Sequence, residues 1–231
     1  LRLADQSLQA GEWKKAKINI INTPGDGNFS ADAEIGMRAA DAAVVVVSAP
    51  DGVQVGTERA WDIINRLEMP RCVFINKLDR ERADFEKTLK EVREILSDKA
   101  VPMQIPMGAE QAFSGVIDLL SLKACTFEDE GRAAKLADVP ADLKETAAAA
   151  REQLIEGIAS TNDALIEKYL ETGELSAEEI TQGLATAMKS GSIIPVFCGS
   201  ATRNIGVQPL MDFIVAAFPS PAERPPAKGE D

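Results

Sequence analysis

Residues 43–48 read Ala-Val-Val-Val-Val-Ser, and four consecutive valines leave few folds open to the chain that carries them. β-Branched side chains favour extended backbone. A strand with one face in water alternates apolar with polar residues. This run does not alternate, so it is expected to be covered on both faces, as a parallel strand of an α/β sheet is. Three more short runs of the same character follow the pattern: Lys17–Ile21 (KINII), Arg71–Ile75 (RCVFI) and Ser192–Cys198 (SIIPVFC). Helical periodicity lies between and after them. Ala31–Ala40 is one such segment. Thr57–Leu67 places Trp61, Ile64 and Leu67 on one side. Phe85–Leu96 sets Phe85, Leu89, Val92 and Leu96 near one stripe, and Val207–Phe218 closes the series. Strand followed by helix, repeated, predicts right-handed crossovers and an open, mostly parallel sheet.

The rhythm breaks between about Val101 and Lys189. Short candidate strands stand at Val101–Ile105 and Gly115–Asp118. Helical sequence then runs from Ala141 to Ser160 and on through Ala164–Leu170. Ser176-Ala-Glu-Glu179 is a capping box that opens another helix, to Lys189. The chain is therefore expected to divide into a core of residues 1–98 and 191–221, an inserted α+β unit of residues 99–190, and a proline-rich polar linker of residues 222–231. It starts with Leu1, and on this reading it continues at both ends.

Composition removes several functions. There is no histidine in the 231 residues, so no imidazole serves as general base or metal ligand. Ser-His and Cys-His hydrolases are excluded with it. Cys72, Cys125 and Cys198 are far apart and form no CxxC pair, which suggests neither a disulfide framework nor a zinc site and fits a cytoplasmic protein. A formal net charge of −12 argues against a sequence-blind nucleic-acid binder, and nothing points to sequence-specific DNA. The longest apolar run, Ala42–Val47, is too short to cross a bilayer.

Three turns carry candidate chemistry. Asn76-Lys77-Leu78-Asp79 follows the RCVFI strand, at the end where open α/β sheets bind ligands. A carboxylate there accepts two hydrogen bonds from a flat ring with adjacent NH and NH2 donors. Guanine has that pair and adenine lacks it, and such a site rejects the wrong partner by a factor on the order of 10⁴. The stem of Lys77 can lie along the base, and the amide of Asn76 can tie the turn to its neighbours. Taken alone, the tetrad reads as a polar turn after a strand. Cys198-Gly-Ser-Ala201 ends another strand, and its small residues let backbone N–H groups approach the O6 of the same base. By itself it is an ordinary strand-to-helix turn. Asn22-Thr23-Pro24-Gly25-Asp26 follows KINII, where a glycine amide can donate to a terminal phosphate.

In this order, the stretches INTPGDGNF, AVVVVSAPDGVQVGTERAW, FINKLDRERADF, VPMQIPMGAEQAFSGVIDLL, EKYLETGEL and FCGSATRNIGVQPLMDFIVAAFPSP resemble translation elongation factor G, over nearly all of Lys17–Pro221 and closest to its elongation factor G-like paralogues. The resemblance implies a P-loop-type GTPase core with a mostly parallel sheet and an inserted α+β subdomain. It implies GTP or GDP with Mg²⁺ as cofactors and the ribosome, including its stalk protein, as partner. Asn76, Lys77 and Asp79 would recognise guanine, with Gly199, Ser200 and Ala201 closing over it. Asn22, Thr23, Pro24, Gly25 and Asp26 would occupy the switch that senses the γ-phosphate, and Asn22 would meet the metal through a bound water.

The sequence departs from that family in three places. No G-x-x-x-x-G-K-[ST] loop and no recognisable first switch occur, so this chain alone is expected to bind GTP weakly or not at all. The family's aspartate is Asn22, which keeps an acceptor but loses the charge suited to a hard cation. The family's water-orienting histidine is Asp26, which reads either as a poor catalytic substitute or as a plain turn residue. Gly25 and Gly27 serve equally as hinges. Lys14, Lys15 and Lys17 read as a solvated edge, and Trp13 and Trp61 as packing residues. Two functions stay open: a GTPase domain coupled to the ribosome in translocation or a related step, and a non-hydrolysing guanine-nucleotide or ribosome-binding module. A Rossmann-type enzyme is weaker, because G-x-G-x-x-G is missing.

Overall fold

A computed structural model of the chain describes residues 7–25, 29–128 and 133–223. It opens with a hairpin, β1 (Ser7–Trp13) and β2 (Ala16–Asn22), paired antiparallel from Ser7 opposite Asn22 to Trp13 opposite Ala16. The helix α1 (Ser30–Ala39) leads to β3 (Ala43–Ser48), α2 (Val55–Arg66), β4 (Arg71–Asn76) and α3 (Phe85–Glu91). A π-helical turn, Val92–Leu96, extends α3. Then come β5 (Ala100–Pro102), β6 (Gln104–Met107), β7 (Gly115–Asp118), β8 (Lys123–Glu128) and β9 (Ala133–Asp138). Three helices follow, α4 (Lys144–Ala159), α5 (Asp163–Thr172) and α6 (Ala177–Lys189), and the chain returns through β10 (Ile194–Cys198) to α7 (Val207–Ala217).

The core sheet is wholly parallel, in the order β3-β4-β10-β5. The non-consecutive order follows from the long excursion between β5 and β10. That excursion builds its own antiparallel sheet, β6-β7-β8-β9, accompanied by α4, α5 and α6. The chain passes from one sheet to the other at Met103, which is 1% exposed and whose N–H donates to the Val196 carbonyl (2.8 Å). One expected strand, Val101–Ile105, is therefore two short strands in two sheets. A contiguous apolar core links both units, from Val73, Ile75 and Val196 through Met103 to Ile117, Leu154 and Ile158.

Two expectations meet a different arrangement. KINII forms a strand, but it pairs with Ser7–Trp13 rather than with the parallel sheet. The run of valines lies at the sheet's edge. Val45 and Val47 are buried, but Val46 on the other face is 56% exposed. β3 has β4 on one side and no second strand on the other among the described residues, so the both-face burial expected of it is realised on one face.

Candidate functional site

The parallel strands bring their carboxyl ends to one edge. Ser48 lies opposite Asn76, and Cys198 opposite Ile75, so the turns after β3, β4 and β10 open side by side. The turn after β4 carries Lys77 at φ 65°, a left-handed conformation uncommon for a side-chain-bearing residue. Asn76 makes it possible. Its Oδ1 accepts from the N–H of Lys77 (2.8 Å) and from the N–H of Ala201 (2.9 Å), so one amide oxygen joins both turns. The backbone adds a second link, from Leu78 N–H to the Gly199 carbonyl (3.2 Å).

Asp79 sits where these links converge. Its side chain is 12% exposed, with the Arg80 Nε 4.0 Å from Oδ2. The other oxygen, Oδ1, is buried and receives no hydrogen bond from the described residues. A buried carboxylate oxygen without a donor is a costly arrangement. A ligand edge with two adjacent N–H donors would satisfy it. Lys77 stands beside it, half-exposed, with its ammonium 3.8 Å from Asp51.

The Gly199–Ala201 turn is closed by its own backbone. Ser200, fully buried, exchanges hydrogen bonds with Ile205: Ser200 N–H to the Ile205 carbonyl (3.0 Å) and Ile205 N–H to the Ser200 carbonyl (3.0 Å). Gly199 has no room for a side chain, since a Cβ there would collide with the Ile205 carbonyl and stand 2.9 Å from the Phe74 ring. The amides expected to meet a base oxygen all have protein acceptors: Ile75 for Gly199, Ile205 for Ser200 and Asn76 for Ala201. A ligand oxygen at Ala201 would share that N–H with Asn76.

Asn22 ends β2 and is exposed; Thr23 and Pro24 are half-buried and Gly25 is exposed. Asp26 and Gly27 lie outside the described residues. Gly25 reaches the same edge through α2, for a Cβ built on Gly56, in the first turn of that helix, would stand 2.7 Å from the Gly25 carbonyl. No hydrogen bond or ion pair among the described residues joins Asn22–Gly25 to Asn76–Asp79. No group of three or more Asp, Glu or Cys among the described residues is arranged to hold a metal ion. For Mg²⁺ Asn22 therefore offers a neutral amide oxygen, which fits a hydrogen bond to a metal-bound water and not direct coordination.

Asp51 is a site residue the sequence reading missed. It accepts from the Ser48 hydroxyl (2.6 Å) and faces the Lys77 ammonium. The Asp51-Gly52 pair directly after a strand is a turn signal that points to its place but not to its partner. Arg203 was missed too; its Nη1 donates to the Phe113 carbonyl (2.9 Å), fastening the third turn to the inserted unit. The buried thiols of β4 and β10 are poor candidates for nucleophiles. Burial pushes Cys72 and Cys198 up, far from the thiolate.

The elongation factor Tu GTP binding domain family matches residues 3–220. Among solved structures, a crystal structure of a Thermus thermophilus protein superposes with a TM-score of 0.86 and 35% sequence identity. The match covers 94% of this chain and 32% of the other, so this chain spans about a third of that structure's length.

Proposed function

The chain belongs to the elongation factor Tu GTP-binding domain family, and from that premise we propose that it is the nucleotide-binding domain of an elongation factor G-like translational GTPase. The family supports binding of a guanine nucleotide, and the α/β core with an inserted subdomain is the fold expected of it. Asp79 selects the base, Asn76 holds the two recognition turns together, and Lys77 covers the ring. Gly199, Ser200 and Ala201 wall the base pocket, while Asn22–Asp26 face the phosphates and, through water, Mg²⁺. Residues 1–98 and 191–221 act as the nucleotide unit, and residues 99–190 as the unit that meets the ribosomal stalk protein in the cytoplasm. The metal, when bound, would offset phosphate charge; the residues here contribute base recognition and the placement of the second switch.

One observation carries the reading: Asp79 Oδ1 is buried without a donor at the carboxyl edge of a parallel sheet. Competition against a fluorescent GDP analogue bound to the full-length protein tests it. GDP and GTP should displace the analogue, and ATP should not; equal displacement by ATP would remove guanine recognition. Asn22 and Asp26, where the family's aspartate and histidine are expected, favour a second reading in which nucleotide is held without turnover. Ribosome-stimulated phosphate release by the full-length protein separates the two. Release supports the GTPase, and binding without release supports the module.

A further inference from the structure

Eight non-glycine residues among those described have positive φ, and four of them surround Asp79's turn and its neighbour: Lys77 (65°), Arg82 (65°), Glu110 (52°) and Asn204 (53°). Strained backbone gathered in one place persists only when its surroundings enforce it. Glu110 belongs to a different element from the rest. It begins a short 3₁₀ turn, Glu110–Ala112, between β6 and β7 of the inserted unit. Its backbone N–H donates to the Leu78 carbonyl (2.9 Å). Its carboxylate Oε1 accepts from the Arg82 N–H (2.7 Å). These contacts fall on either side of Asp79, one residue before it and three after. Gly108 makes the approach possible: it has φ 78°, and a Cβ there would collide with the Ala112 carbonyl. The Arg203–Phe113 hydrogen bond fastens the same loop to the third turn.

We propose that Glu110 is a positioning residue for base selection, through which the inserted unit sets the geometry of Asp79. A carboxylate that discriminates two purines must present its oxygens along fixed directions, and error in the supporting turn weakens discrimination before it weakens folding. Glu110 contributes a backbone donor and a charged acceptor to that turn from outside it. Displacing the 108–113 loop would loosen the turn, so a ligand of the inserted unit can alter base affinity by this route. The inference rests on the guanine reading of Asp79.

The experiment is an NMR titration of the full-length protein with GDP and with IDP, which lacks the exocyclic amine, followed at the amides of residues 78–82. Wild type, Asp79→Ala, Glu110→Ala and Glu110→Gln are compared, with amide exchange at Arg82 and melting temperature recorded for each. In Glu110→Ala the Arg82 amide should exchange faster and the GDP-over-IDP preference should fall roughly five- to tenfold, the effect of about one ordinary hydrogen bond. Glu110→Gln keeps an acceptor oxygen and should restore most of both at an unchanged melting temperature. If Asp79→Ala removes the preference while Glu110→Ala leaves it intact, the positioning role is wrong and the guanine site stands. If GDP moves no amide of residues 78–82 in wild type, or if Asp79→Ala leaves the preference untouched, the guanine reading fails and takes this inference with it. A loss in Glu110→Gln equal to that in Glu110→Ala would also overturn the acceptor role.

Discussion

Asn76 shows how much one side-chain oxygen can organise. It serves its neighbour's amide and that of Ala201, 125 residues further along the chain, and both lose their acceptor in Asn76→Ala. At about 1 kcal/mol per hydrogen bond, unfolding free energy should fall by roughly 1–3 kcal/mol, measured by urea denaturation. Gly199→Ala forces a methyl group onto the Ile205 carbonyl, and overpacking of that kind costs roughly 1–3 kcal/mol. Its guanine preference should drop together with stability, because the turn has nowhere to move. The positions of Asn76 and Asp79 at the carboxyl end of β4 were legible in the sequence, since a strand end fixes where a following polar turn faces. The engagement of the Gly199, Ser200 and Ala201 amides was not. It depends on Ile205 folding back, which no local pattern announces.

At the scale of elements, α3 clamps the turn that carries Asp51. Buried Thr88 donates its hydroxyl to the Ala49 carbonyl (3.2 Å), and Glu91 accepts from the Val53 N–H (3.1 Å). Gly52, at φ 70°, lets the Glu91 carboxylate in; a Cβ there would collide with it. Gly52→Ala should therefore raise amide exchange at Val53, and the cost should shrink when Glu91→Ala is combined with it. The start of α6 makes a pH prediction. The Lys168 hydrogen bond, followed by those from Ser176, holds the Glu179 carboxyl down at about 2, from an ordinary 4.5. A depressed carboxyl stabilises the folded state above its unfolded value, and the gain is lost as pH falls through the folded one. The amides at this cap should thus lose protection between pH 4.5 and about 2, and Glu179→Gln should abolish that dependence. This capping box was readable because both partners sit three residues apart. The hairpin strand β1 was not. Its two-residue turn places Lys14 and Lys15 at φ 46° and 67°, without the Asn-Gly or Asp-Gly signal that usually marks such a turn. β9 escaped for a related reason: AAKLAD is too rich in alanine and lysine to stand out as a strand. The long helical stretch from Ala141 divides because Asn162 accepts from the amides of Ala164 and Leu165 and so starts a new helix.

Across the whole molecule, the core sheet supplies an edge, the turns after β3, β4 and β10 line it, and the inserted unit reaches back to hold the turn that carries Asp79. Alternating strands and helices made the parallel sheet legible, but the reach of residues 108–113 onto residues 78–82 is a tertiary fact with no periodicity to reveal it. All three cysteines are buried, and burial pushes Cys125 up to about 11. Alkylation at neutral pH should therefore report global unfolding, with a rate that follows denaturant concentration and not nucleotide chemistry. The central claim concerns a single carboxylate, and exchanging its hydrogen-bonding polarity tests it most directly. In Asp79→Asn the side-chain amide offers an N–H donor where xanthine carries a carbonyl oxygen in place of guanine's 2-amino group. Competition of GDP and XDP should favour GDP in wild type and XDP in Asp79→Asn. An unchanged order of preference in the two proteins would contradict the account.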